Sequence, residues 1–107
     1  MPIRPREVSK QQLDQWRARR EQVGARIREL RLDRGLTQES LSLEARLSRN
    51  MLIGVEWGRQ SLAYERLWDI ADVLGVTVED LLKPPAGSAK RQPYRGGRRR
   101  LEDGDPA

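Results

Sequence analysis

Hydroxyl residues and glycines cut the middle of this chain into short helical segments. Thr37 has the chemistry of an N-cap, and the segment after it turns Leu41 inward and ends near Ala45. Ser48 caps a second segment, in which Leu52 and Val55 form an apolar stripe ending at Gly58. Leu62, Leu67, Ile70, Ala71 and Leu74 make one further helical face, closed by Gly75. Thr77 and Asp80 open a last short helix through Leu81 and Leu82, which Pro84-Pro85 stops. Ahead of these, Ser9 and Gln12 have capping-box spacing, and Leu13, Trp16, Val23, Ile27 and Leu30 fall on one helical face. That first helix is expected to end near Gly35, with a weak point at Gly24 where it would break or kink. No segment sustains a period-two alternation, so the pattern predicts an all-α fold of five helices.

Composition narrows the chemistry. The chain has 107 residues, enough for one small domain plus tails. It has no Cys, which excludes disulfides, thiolate metal sites and Cys nucleophiles. It has no His, the commonest metal ligand and general base. The carboxylates scatter along solvated helices, and no Gly-rich phosphate loop follows a strand. We therefore expect no enzyme, no catalytic residue, no metal site and no cofactor. No apolar run approaches the roughly 18 residues that span a membrane. Met-Pro-Ile-Arg-Pro-Arg is no secretory signal. A cytoplasmic, nucleoid-associated protein is the expectation.

Charge is unevenly placed. Residues 1–34 carry ten basic and five acidic side chains, 35–83 five and eight, and 84–107 six and three. Beyond Lys83 the only large aliphatic residue is Leu101, among Pro, Gly and Arg. The reading is a flexible basic arm over 1–8, a domain over 9–83 and a disordered Arg-rich tail over 84–107.

Five helices with two very short ones in the middle suggest a helix-turn-helix, and the residues carry a resemblance. Ile27, Leu30 and Arg31 stand in the first helix, and Gly35-Leu36-Thr37-Gln38-Glu39 open the second. Leu41, Ala45, Ser48-Arg49, Val55-Glu56 and Gly58-Arg59 follow, then Leu67, Ile70-Ala71, Leu74-Gly75-Val76 and Asp80-Leu81-Leu82. Over Val23 to Leu82 the chain resembles the Xre/Cro-like, phage-repressor class of helix-turn-helix DNA-binding proteins. The resemblance implies a compact phage-repressor-like domain, here with an N-terminal helical extension. The chain departs from that class at Arg46 and Leu47, where Gly and a β-branched residue are usual, at Trp57 and at Leu62. A side chain at Arg46 would have to tolerate a positive φ.

A major groove admits one α-helix, read from side chains near its N-terminus. That helix would run from about Ser48 to Trp57, with Leu52 and Val55 inward and Arg49, Asn50, Ile53 and Gly54 outward as base readers. Arg grips guanine, Asn grips adenine, and Ile53 would meet a thymine methyl. Thr37, Gln38, Ser48, Arg59 and Gln60 are candidate phosphate contacts. Glu56, repelled by DNA, should turn inward to backbone or a nearby Arg, and Arg31 is the candidate partner. Arg4 and Arg6 on the arm, and Arg98, Arg99 and Arg100 in the tail, are accessory candidates.

The resemblance implies a transcriptional regulator, most simply a repressor, bound as a homodimer to an inverted repeat in double-stranded DNA. The competing reading is a protein-interaction adaptor or antitoxin-like module that keeps the fold with weak or no DNA binding. No membrane partner and no small-molecule ligand are expected, since the tail is too short and polar to bury a pocket. Of the tryptophans, Trp68 is expected in the core. Trp16 should pack on its own domain or on a second copy, and Trp57 under the following loop or against the DNA backbone.

Overall fold

Ser9, Thr37, Ser48 and Thr77 each begin a helix by accepting a backbone N–H three residues on. The computed structural model describes residues 8–87. These residues form α1 (Lys10–Asp33), α2 (Gln38–Glu44), α3 (Arg49–Glu56), α4 (Tyr64–Leu74) and α5 (Val78–Leu81), with no strand among them. The caps at Thr37 and Thr77 are reciprocal boxes, closed by Ser40 and Asp80. At Ser9 only half of the expected box forms, because Gln12 turns its side chain to Gln15. At α4 the cap position is Ala63, without a side-chain bond, and Leu62 lies ahead of the helix it was assigned to. The Thr77 backbone N–H, followed by the Lys83 ammonium and the Thr77 hydroxyl, holds the Asp80 carboxyl below the usual carboxylate range.

Every helix sends at least one side chain to a common core. Ile27, Leu41, Leu52, Ile70, Leu74 and Leu81 are fully buried there. Arginines then close the helix ends, whose last carbonyls have no intrahelical partner. Arg66 donates to the Ala45 and Arg46 carbonyls after α2, and Arg20 to the Gly58 carbonyl after α3. Arg34 donates to Leu74 at the end of α4, and Arg26 to the Asp80 carbonyl in α5. Two of these four arginines, Arg20 and Arg26, lie on α1, and Arg34 is the residue that caps its C-terminal end.

Two expectations are corrected. α1 runs unbroken through Gly24. A Cβ there would lie 2.0 Å from the Val55 carbonyl oxygen, so the missing side chain is what lets α3 press on α1. Trp68 is not core: it is 54% exposed and packs edge-to-face on Tyr64, with ring centroids 6.4 Å apart. It lies two residues from buried Ile70, roughly 200° around the helix, on the opposite face. Leu13 and Trp16 are exposed, because the first turns of α1 outrun the domain.

The turn between α2 and α3 takes the backbone form that Arg46 was expected to need. Arg46 has φ 62°, the only positive φ among the described non-glycine residues. Its N–H donates to the Leu43 carbonyl at 3.2 Å, and the Leu47 N–H to the Ser42 carbonyl at 2.8 Å. This is a Schellman ending, with Leu47 buried beside it. Left-handed backbone costs a non-glycine residue about 1–2 kcal/mol, and glycine returns part of that as unfolded-chain entropy. Arg46→Gly should therefore raise stability by about 0.5–1 kcal/mol. The check is a higher urea midpoint at unchanged slope. An unchanged or lower midpoint would mean the Arg46 side chain offsets the backbone cost.

Candidate nucleic-acid interface

One buried ion pair fixes α3 against the rest of the domain. Arg31 Nε donates to Glu56 Oε2 at 2.7 Å and Arg31 Nη2 to Glu56 Oε1 at 3.2 Å. Arg31 Nη1 donates to the Leu36 carbonyl at 2.8 Å, and Gln38 Nε2 to Glu56 Oε1 at 3.1 Å. Both charged side chains are buried, as the inward turn of Glu56 required. The pair joins the last turn of α1, the turn before α2 and the last residue of α3. Two turns earlier on α1, Gly24 lets the Val55 and Glu56 carbonyls rest on that helix.

With that end locked, the N-terminal half of α3 faces outward. Ser48, Arg49 and Asn50 are exposed, and Met51 and Ile53 are half-buried. Ser48 Oγ accepts the Met51 N–H at 3.0 Å. Leu52 and Val55 are buried as the stripe predicted. The structure thus brings Arg49, Asn50 and Ile53 together on one accessible stretch of helix.

Gly54 does not belong to the free face. It is buried beneath Gln60, whose Oε1 would lie 2.8 Å from a Cβ at Gly54 and whose Cβ would lie 3.1 Å from it. The Arg59 and Gln60 N–H groups both donate to the Gly54 carbonyl, at 2.9 and 3.2 Å, and fold the loop back over α3. Gln60, expected beside the helix at a phosphate, lies across its outward face one turn from Asn50. Sequence reasoning missed this placement. A glycine on the outward side of a helix, followed six residues later by a long polar side chain, was the available signal.

Two other candidates are engaged within the protein. Thr37 is buried, its hydroxyl held in the cap with Ser40. The Gln38 amide is bonded to Glu56. Arg59 is exposed on the loop after α3. Trp57 is half-buried at the end of that helix. Arg4, Arg6, Arg98, Arg99 and Arg100 lie outside the described residues. Among the described residues no helix is long and apolar enough to cross a membrane.

A short helix capped by Ser48, preceded by a tight turn and a second short helix, with an exposed polar N-terminal half, defines a helix-turn-helix. The sequence profile described as Helix-turn-helix matches residues 27–81. The chain belongs to this family, whose members bind DNA and regulate transcription. The HTH-type transcriptional regulator y4dJ of Sinorhizobium fredii is 34% identical over 65 residues, 61% of this chain and 84% of that protein. DdrOP3, an HTH-type transcriptional regulator of Deinococcus deserti, is 40% identical over 58 residues, 54% of this chain and 45% of that protein. Among solved structures, the restriction-modification controller protein C.AhdI of Aeromonas hydrophila superposes with a TM-score of 0.59 at 32% identity, covering 61% of this chain and 94% of that one. The clp gene regulator ClgR of C. glutamicum gives 0.57 at 36% identity, covering 59% and 81%.

Removing one partner of a buried ion pair leaves the other charge uncompensated, which costs about 3–5 kcal/mol. Glu56→Ala should destabilise the domain by that amount in chemical denaturation. A loss under about 1 kcal/mol, the range of an exposed pair, would show that the pair is hydrated in solution. Gly24→Ala forces a methyl group into the α1–α3 contact and should cost about 1–3 kcal/mol or more. Unchanged stability would mean that the two helices sit farther apart than the 2.0 Å approach implies.

Proposed function

We propose that this regulator is a sequence-specific repressor that binds an inverted repeat in double-stranded DNA as a homodimer, with α3 in the major groove. The observation that carries the reading is the exposed N-terminal half of α3, held on a helix whose other end is locked by the Arg31–Glu56 pair. A rigidly held polar helix end is what base reading needs, since misplacement by an ångström breaks paired hydrogen bonds.

The roles follow from placement. Arg49 donates twice to guanine, Asn50 donates to N7 and accepts from N6 of adenine, and Ile53 contacts a thymine methyl. Gln60, lying over Gly54, moves from the phosphate set to the base-reading set. Gly54 itself makes room. Ser48 and Arg59 flank the helix as phosphate contacts, joined by the first backbone N–H groups of α2 in place of the Thr37 and Gln38 side chains. Residues 9–83 are the DNA-binding unit in this reading. Residues 35–83 have a net acidic balance, so Arg4, Arg6 and Arg98 to Arg100 would supply further phosphate neutralisation from the flanks. The protein would act in the cytoplasm on the nucleoid, without a cofactor or small-molecule effector. C.AhdI and ClgR, by their descriptions a controller protein and a gene regulator, fit this reading.

Selection from a random-sequence duplex pool tests it. The wild-type chain should enrich an inverted repeat with half-sites about 34–36 Å apart centre to centre. Arg49→Ala and Asn50→Ala should each lose preference at one position per half-site, about 1–3 kcal/mol of discrimination. Gln60→Ala should relax a different position, whereas a phosphate contact would weaken all sequences alike. Enrichment of nothing by the wild type would move the reading to the protein-interaction module.

A further inference from the structure

The start of α1 presents an apolar stripe to solvent. Residues 10–20 precede the family match, which begins at residue 27. Leu13 and Trp16 continue the same helical stripe that farther along holds Val23, Ile27 and Leu30. Arg20, on that stripe, is tied to the domain through the Gly58 carbonyl. Beyond it Leu13 is 51% exposed and Trp16 41%. A rotation of about 100° per residue puts Arg17 and Arg19 on the two flanks of this stripe. Among the described residues neither arginine enters an ion pair.

α4 carries a surface of opposite charge. Tyr64 and Trp68 meet edge-to-face in solvent, 69% and 54% exposed. Glu65 and Asp72 share that outward face, three and four residues from Trp68. Neither enters an ion pair among the described residues, where Arg66 is bound to Asp69 instead.

We propose that these two surfaces cover each other between two copies of the chain. The α1 overhang of one copy lies on α4 of the other, and two-fold symmetry repeats the contact. Trp16 and Leu13 would stack on Tyr64 and Trp68, while Arg17 and Arg19 meet Glu65 and Asp72. A second copy fits because the chain itself carries both halves of the match, apolar to apolar and basic to acidic. Aromatic side chains bury about 150–250 Å² each, so covering the exposed parts of Trp16, Tyr64 and Trp68 twice, with Leu13 and the four charged side chains around them, buries on the order of 1,000 Å². That is the threshold size for a specific dimer. The proposal rests on the two-fold reading above and gives it a surface.

Sedimentation equilibrium of the full chain without DNA tests it. The wild type should be a dimer at micromolar concentration, weakened by salt. Arg17→Glu/Arg19→Glu should raise the dimer dissociation constant at least tenfold, and so should Glu65→Arg/Asp72→Arg. All four side chains are exposed, and an unchanged far-ultraviolet circular dichroism spectrum checks the fold. Combining the two reversals in one chain should restore the dimer. Trp16→Ala should also raise the dimer dissociation constant, with an unchanged circular dichroism spectrum. A dimer indifferent to both reversals and to Trp16→Ala overturns this surface and leaves the two-fold reading standing. Loss with each reversal but no recovery in the combination overturns the pairing. A wild type that is monomeric at every concentration overturns both.

Discussion

The Arg31–Glu56 pair is the interaction on which the position of α3 depends. A buried ion pair is a weak source of net stability, since desolvation offsets much of its attraction. Its value here is registry. The carboxylate accepts from Arg31 twice and from Gln38 once, and Arg31 also holds the Leu36 carbonyl. Moving any of three segments by an ångström leaves a charged group in the interior without its bonds. The network therefore selects one arrangement of α1, α2 and α3 and penalises the neighbours steeply. It also takes the one carboxylate of α3 off the exposed face of that helix.

Gly24 and the Arg20–Gly58 bond belong to the same device. The first lets α3 lie directly on α1, and the second ties the chain just after α3 to α1. α1 is thus the spine on which α3 is mounted. The arginines along it and at its end serve other helices: Arg20 and Arg26 on α1 and Arg34 just after it each hold a terminal or near-terminal carbonyl. The planar guanidinium, with donors in a fixed fork, suits a carbonyl at a helix end better than a lysine ammonium does. The basic excess of the first third of the chain is in good part structural. Counting it as an electrostatic footprint for nucleic acid overstates what reaches the surface.

That distinction marks what the sequence could and could not reveal. Thr37, Ser48 and Thr77 announced their helices because capping depends on local chemistry. The inward turn of Glu56 followed from electrostatics and from the resemblance, and the positive φ at Arg46 from the resemblance to a class that usually has Gly at that position. Tertiary facts were harder to read. Gly24 has the propensity of a break, and only the arrival of α3 turns it into a contact. Trp68 is large and apolar beside a buried run, yet helical rotation carries it to solvent. Leu13 and Trp16 keep the spacing of a core stripe, but periodicity does not say where the domain stops. Gln38 and Gln60, both expected at phosphates, lie on Glu56 and over Gly54, because a side chain's length says how far it reaches and not what meets it.

The central claim is that one face, made by the start of α3 and the loop folded over Gly54, meets DNA while the Arg31–Glu56 network behind it stays fixed. Mapping backbone amide chemical shifts during titration with a selected duplex tests it most directly. The account predicts that the largest changes fall on residues 48–53 and 59–61, with the amides of Arg31 and Glu56 little moved and the outward face of α4 unaffected. Changes concentrated on α4 or on the overhang of α1, with the start of α3 unmoved, would contradict it.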